Sequence, residues 1–293
     1  MKKPIFTGCG VALITPFKNG SIDYDSLERL LFIHETKSDA LILLGTTGEA
    51  SALSVAERKE IIAFARRRIK NIPLIIGCGG LSTEICKEFC SIATKLDADG
   101  ILAVTPFYNK SSREGILTHY REISKTSDLP IILYNVPNRT GLNLDLDTLC
   151  KLWEIPTVNG IKEATVDFSQ VCATLAENRG INLWSGDDKF AFATSALGGK
   201  GVISVAANAL PDAMKKLTKV SSDKLLESQS LHNTLFPLFK ALSCEINPIP
   251  IKYLLSKLGF CKNILRLPLV PLSKAKQHLL DKVIEQLKKE DIL

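Results

Sequence analysis

Short runs of apolar, often β-branched residues recur along the chain at nearly even intervals. They are GVALITPF (10–17), ALILLGTTG (40–48), IPLIIGCGG (72–80), DGILAVTPFY (99–108), LPIILYNVP (129–137), TVNGIKEAT (157–165), INLWSGDD (181–188) and KGVISVAAN (200–208). Most are hydrophobic at successive positions rather than at alternate ones, as expected of strands covered on both faces in a parallel sheet. Between them lie longer stretches of helical period, such as SVAERKEIIAFARRRIK (54–70), with Val55, Ile62, Ala65 and Ile69 among its apolar positions. Strand alternating with helix eight times predicts an α/β fold, a (β/α)8 TIM barrel. A doubly wound open sheet is the competing arrangement. It is disfavoured because no GxGxxG follows the first strand.

From about Pro211 the strand pattern stops. DKLLESQSLHNTLFPLFKALSCE and SKAKQHLLDKVIEQLKKE have helical period, separated by NPIPIKY and RLPLVPL, whose prolines are read as helix breaks. The chain is therefore divided into a (β/α)8 catalytic barrel over 1–225 and a C-terminal helical region over 226–293. The Lys/Glu-rich tail reads as the solvated end of the last helix.

Composition changes this picture little. Of 293 residues 45% are hydrophobic and 23% charged, which suits a large globular core. The net charge of +6 is spread along the chain rather than gathered in a stripe, so no nucleic-acid partner is expected. The eight cysteines form no CxxC pair and no cluster with zinc spacing, so no metal site is expected. Cys86 and Cys90 lie one helical turn apart and read as small buried hydrophobes. The amino-terminal MKKPIFTGCGVALITPF is too short and too broken by Gly and Pro for a signal peptide, and no run is long enough to span a bilayer. Reduced thiols without a leader point to the cytoplasm.

In barrels of this kind the chemistry sits at the C-terminal ends of the strands. There the chain carries Gly45-Thr46-Thr47-Gly48-Glu49, Thr105-Pro106-Phe107-Tyr108-Asn109, Tyr134-Asn135-Val136-Pro137 followed by Asn138-Arg139-Thr140-Gly141, Gly160-Ile161-Lys162-Glu163, Ser185-Gly186-Asp187-Asp188 and Gly201-Val202-Ile203-Ser204. Lys162 stands inside an apolar strand. Burial lowers a lysine pKa, and the neutral amine can add to a ketone and lose water to give a Schiff base. An ion pair with a carboxylate is the equally weighted alternative. Glu163, its neighbour on the strand, points to the opposite face. Tyr134 and Tyr108 are either core aromatics or members of a proton-passing chain. Thr46 and Thr47, between two glycines, either form a plain turn or present hydroxyls and backbone N–H groups to a carboxylate. Arg139 is either a surface arginine or a fork for a second carboxylate.

Taken together, VALITPF, GTTGEA, TPFYN, LYNVPNRTG, GIKEAT, SGDD, GGKGVISV, NPIPIKY and LRLPL resemble, in order and spacing, the dihydrodipicolinate synthase/N-acetylneuraminate lyase family of class I aldolases. The resemblance covers nearly the whole chain and is greatest to the synthase branch. It implies condensation of pyruvate with L-aspartate 4-semialdehyde to 4-hydroxy-tetrahydrodipicolinate, the first committed step of diaminopimelate and lysine biosynthesis. It implies that Lys162 forms the Schiff base, that Tyr134 gives and takes protons, and that Thr46 and Tyr108 complete a relay. Tyr108 would reach in from a neighbouring subunit, which makes the enzyme a homo-oligomer, with a tetramer built as a dimer of dimers favoured over a dimer. Thr47 would bind the pyruvate carboxylate, Ile203 would contact pyruvate through its backbone, and Arg139 would hold the carboxylate of the semialdehyde. Neither metal nor organic cofactor is implied.

The chain departs from the family pattern in places. Val166 follows IKEAT where the family usually has Gly, and Gly77-Cys78-Gly79-Gly80-Leu81 replaces a GTGSN-like turn. Lysine-inhibited members hold lysine at an interface with polar side chains. The matching positions here, Ala50, Val55, Arg58, Leu81, Ile85 and Phe107, lack the histidines, asparagine, glutamate and tyrosine that hold lysine there, so weak or absent lysine inhibition is expected. The alternatives are a sibling lyase acting on N-acetylneuraminate or 2-keto-3-deoxy sugar acids, against which Arg139 argues, and a barrel that binds a 2-oxo acid without turnover. A phosphate-binding isomerase, suggested by Gly198-Gly199, is a third.

Overall fold

The computed structural model describes residues 2–177 and 179–293. Strand β1 (Gly8–Ala12) is followed by a small antiparallel hairpin, β2 (Phe17–Lys18) and β3 (Ser21–Ile22), and by helix α1 (Tyr24–Lys37). The repeat then proceeds through β4 (Ala40–Leu43), α2 (Val55–Arg66), β5 (Leu74–Gly77), α3 (Thr83–Lys95), β6 (Gly100–Val104), α4 (Arg113–Ser124) and β7 (Ile131–Asn135). After β7 come a single turn, α5 (Pro137–Thr140), and α6 (Leu146–Trp153). The last repeats are β8 (Val158–Glu163), α7 (Phe168–Ala176), β9 (Leu183–Ser185), α8 (Ala191–Ala196), β10 (Gly201–Ser204) and α9 (Pro211–Thr218). Three further helices follow, α10 (Leu225–Ala241), α11 (Ile249–Lys257) and α12 (Lys274–Lys289).

All eight long-range strands pair in parallel, and β1 joins both β4 and β10 to close the ring. This is the expected TIM barrel. The strands are buried throughout because side chains pointing inward meet each other while those pointing outward meet the helices. The inward set, Ile42, Ile75, Leu102, Ile132, Tyr134, Trp184 and Ile203, forms one apolar cluster. The outward set merges with the inner faces of the helices into a second, larger one. Helices begin where a short oxygen-bearing side chain takes up a free N–H group: Asp23, Ser54, Ser82, Ser112, Asp145 and Asp167 each cap a helix in this way. Closure of the ring depends on Gly201. Its φ is +129°, and a Cβ there would lie 1.8 Å from the Gly8 carbonyl oxygen.

Three expectations need correction. NPIPIKY does not interrupt the helices; it opens α11. Pro250 sits in the first turn, where N–H groups have no acceptor within the helix, so proline forfeits nothing there. The helix read over 54–70 ends at Arg66, and Val55, expected on its apolar face, is exposed in its first turn. The Gly198-Gly199 pair lies before β10, at the opposite end of the barrel from the strand C-termini, and so away from where a phosphate would meet the other rim residues. The β2–β3 hairpin was not anticipated from the pattern. Cys86 and Cys90 are both buried on α3, as read. Among the described residues no helix is long and apolar enough to cross a membrane.

Candidate active site

Register on two adjacent strands builds the centre of the site. Tyr134 of β7 lies directly beside Lys162 of β8, and Asn135 beside Glu163. Because neighbours on a strand face opposite ways, the first pair points into the barrel and the second outward. The Lys162 Nζ lies 4.3 Å from the centre of the Tyr134 ring. On the outer side Glu163 accepts hydrogen bonds from Asn135 Nδ2 at 3.0 Å, Gln170 Nε2 at 3.0 Å and the Thr165 N–H at 2.8 Å. The carboxylate is thus fully occupied away from the lysine and fixes the ends of β7 and β8. Close approach on the other side comes from Gly186, where a Cβ would stand 3.1 Å from Lys162 Cε.

Lys162 is only 5% exposed, and among the described residues no carboxylate forms an ion pair with it. The fully buried Lys252 differs in this respect, being paired with Glu49. Burial pushes the Lys162 amine down to about 8, the Asp188 carboxylate pulls it back up, and the Arg139 guanidinium lowers it further. Burial moves the Tyr134 phenol the other way, above its ordinary value, while Arg139 and a hydrogen bond with Thr46 hold it down. The Asp188 carboxyl is also raised by burial. Its Oδ2 accepts from the Val205 and Ala206 N–H groups at 3.1 and 2.8 Å, the Ser204 hydroxyl helps to hold the carboxyl down, and among the described residues no further group takes up its buried Oδ1.

The Gly45–Gly48 turn closes the rim beyond β4. Leu44 takes a left-handed φ of +56°, and Gly48 and Glu49 donate back to Gly45 and Thr46. Thr15 Oγ1 donates to the Gly48 carbonyl at 2.7 Å. Thr47 is buried, and its hydroxyl accepts from Asn247 Nδ2 at 2.9 Å. Arg139, on the exposed α5 turn, donates to the Asn247 carbonyl at 3.1 Å. Lys162, Tyr134, Thr46, Thr47 and Arg139 line one cavity of about 180 Å³. Ile203 is fully buried in the interior cluster with Tyr134 and does not line this cavity. Tyr108 is 86% exposed with φ +72° and stands outside the cavity of its own chain.

Several lining residues were not singled out in the sequence. Asp187 and Asp188 were noted only as part of a strand end, whereas Phe239, Leu242 and Asn247 come from the C-terminal helical region. A second cavity of about 510 Å³ adjoins the first, sharing Thr46, Tyr134, Arg139 and Asn247, and extends to Arg58, Leu81, Ile85 and Phe107. Among the described residues no group of three or more His, Cys, Asp or Glu side chains is placed to hold a metal ion. The chemistry on offer is that of an amine near neutrality, a protonated phenol against it, hydroxyls and a guanidinium for carboxylates, and a carboxylate for a developing cation.

A family model described as the dihydrodipicolinate synthetase family matches residues 5–287. The chain is 42% identical to the 4-hydroxy-tetrahydrodipicolinate synthase of Thermosipho melanesiensis, over 97% of this chain and 99% of that protein. It superimposes on the crystal structure of dihydrodipicolinate synthase from Thermotoga maritima with a TM-score of 0.94 at 41% identity, covering 99% of this chain and 100% of the other. The chloride-inhibited dihydrodipicolinate synthase from Acinetobacter baumannii, crystallised in complex with pyruvate, gives 0.93 at 40% identity, covering 98% and 99%.

Proposed function

The chain belongs to the dihydrodipicolinate synthetase family, and on that premise we propose how its residues divide the work of a Schiff-base aldolase. The activity is that of the 4-hydroxy-tetrahydrodipicolinate synthases. It condenses pyruvate with L-aspartate 4-semialdehyde to 4-hydroxy-tetrahydrodipicolinate, the first committed step of diaminopimelate and lysine biosynthesis. The observation that carries the reading is Lys162: a buried amine with no ion-pair partner among the described residues, lowered to about 8, inside the rim cavity and against Tyr134.

In this reading the neutral Lys162 amine adds to the pyruvate ketone, and loss of water leaves an iminium. Tyr134, kept protonated by its burial, supplies the proton for the departing hydroxyl and exchanges it along Thr46 and Tyr108. The iminium draws electrons from the adjacent methyl carbon, which loses a proton and becomes an enamine. This electron sink is the lysine's own, so the reaction calls for no cofactor. The Asp188 carboxylate, whose charge already acts on the Lys162 amine, supplies a negative group on the same cavity wall as the cation. The enamine carbon attacks the aldehyde, and the substrate's amine displaces Lys162 and closes the ring. Thr47 binds the pyruvate carboxylate and Arg139 that of the semialdehyde. Ile203, set behind the lining, acts through its backbone. Incubation with pyruvate and the semialdehyde should give the ring product. Cleavage of sugar acids in its place would favour the sibling lyases.

Tyr108 acts from a neighbouring subunit, in a homotetramer built as a dimer of dimers. Its exposure and left-handed backbone, outside its own chain's cavity, support this, as do the exposed apolar Leu81 and Ile85 beside the larger cavity. Mixing two inactive variants, Lys162→Ala and Tyr108→Phe, should restore part of the activity, because mixed dimers hold one complete site. No recovery after subunit exchange would place Tyr108 elsewhere. The cytoplasm is the proposed compartment; all eight cysteines are free.

A further inference from the structure

We propose that the buried ion pair of Glu49 and Lys252 is a positioning device that sets the Gly45–Gly48 turn, and with it Thr46 and Thr47, from outside the barrel. The inference rests on the reading of Thr47 as the pyruvate carboxylate site. Glu49 follows the turn directly and is 3% exposed, and its backbone is held at φ +51°, a region that residues other than glycine rarely occupy. Lys252, on α11, is fully buried and is joined to the Glu49 carboxylate. The same ammonium donates to the Ile264 carbonyl at 3.0 Å and lies 4.0 Å from the centre of the Phe17 ring. The second Glu49 oxygen accepts from the Arg266 N–H at 3.0 Å.

The pair is one of two grips that this segment has on the turn. Five residues before Lys252, Asn247 holds the Thr47 hydroxyl at 2.9 Å. Beyond α11, Arg266 holds the Ala52 carbonyl at 3.0 Å and the Glu57 carboxylate at 2.8 Å, so the chain on the far side of the turn is tied to the same element. A buried ion pair is commonly near neutral in stability against apolar residues of the same shape. Its effect is therefore expected in the geometry it imposes. Backbone strain at the joined residue is the usual mark of a position over-determined by its surroundings. Neither residue lines the cavity that holds Lys162. They act through the hydroxyls of the turn.

The test uses the whole enzyme and two variants. Glu49→Gln combined with Lys252→Met removes both charges and leaves none stranded. Its unfolding temperature should stay near that of the parent, while KM for pyruvate rises about tenfold or more and kcat falls, since a displacement of about 1 Å at a reacting centre costs up to ~10²-fold. KM for the semialdehyde, held by Arg139, should change by less than about twofold. A merely structural role would lower the active fraction and leave KM for pyruvate where it was. Glu49→Asp keeps both charges with a shorter reach, and should raise KM for pyruvate about threefold or more. If either folded variant keeps KM for pyruvate within about twofold of the parent, the positioning role is refuted. Reductive trapping of pyruvate on the parent separates the two levels. Absence of an adduct on Lys162 there would overturn the underlying reading, whereas an adduct with unchanged KM in the variants overturns only this inference.

Discussion

Raising the pH through 8 is predicted to set free the Lys162 amine, the proposed nucleophile. Burial holds the Lys162 amine down to about 8, with Asp188 opposing the fall and Arg139 adding to it. Measured from the ordinary lysine value of 10.5, the fall corresponds to ~3 kcal/mol between the charged and neutral forms. At pH 7 about one Lys162 in ten is then neutral, against roughly one in three thousand for a solvated lysine, an enrichment of ~300-fold. The assay is the initial rate of pyruvate adduct formation at sub-saturating pyruvate, trapped with cyanoborohydride and quantified on the peptide carrying Lys162. The rate should climb with pH and level off with a midpoint near 8. A rate that keeps climbing beyond pH 10 would show an ordinary solvated lysine and refute the argument from burial. The same displacement has a consequence for stability. Between about pH 8 and 10.5 the unfolded chain binds more protons at this residue than the native one, so stability rises with pH across that window. The penalty is fully present below 8 and gone above 10.5, and a Lys162→Met variant should lose this dependence in denaturant titrations.

Other expectations follow from the same geometry. Tyr134→Phe should lower kcat by ~10²–10³-fold with little change in unfolding temperature, because it removes the proposed proton donor and keeps the ring; a loss below threefold would exclude the phenol from proton transfer. Glu163→Ala should strand the buried Thr165 N–H and one N–H of the Asn135 amide and destabilise the fold by about 1–3 kcal/mol per stranded group, measured by denaturant titration, whereas an unchanged midpoint would show that the network is idle. Gly201→Ala should cost more than ~3 kcal/mol in calorimetry, because its methyl group would collide with the Gly8 carbonyl where the barrel closes, and normal stability would mean that the ring can shift there. L-Lysine at millimolar concentration should leave the rate unchanged, since Leu81, Ile85 and Phe107 offer no polar groups along the larger cavity; strong inhibition below millimolar would contradict this.

The barrel was legible because its signal is local. A strand buried on both faces is hydrophobic at every position, and eight such runs mark eight strands whatever packs on them. Lys162 was visible for the same reason, as a charge interrupting an apolar run, but its state was not. Whether a buried lysine is paired depends on groups far away in sequence. Lys252 shows the other outcome: it met Glu49 across 203 positions of chain, and nothing in NPIPIKY distinguished it beforehand. That segment was misread because a proline reads as a helix break unless one knows that it stands in the first turn, where the missing N–H is not needed. Misreading it concealed Asn247, which touches both Thr47 and Arg139. The role proposed for Tyr108 lies further still from the single chain, since its side chain stands in solvent there.

The claim on which the mechanism depends is that Lys162, of all the lysines in the chain, becomes covalently joined to pyruvate. Reduction with borohydride in the presence of pyruvate, followed by peptide mapping by mass spectrometry, tests it directly. One reduced pyruvate adduct per chain is expected, on Lys162, lost together with nearly all activity in Lys162→Ala. An adduct on another lysine, or none in an enzyme that still turns over, would contradict it.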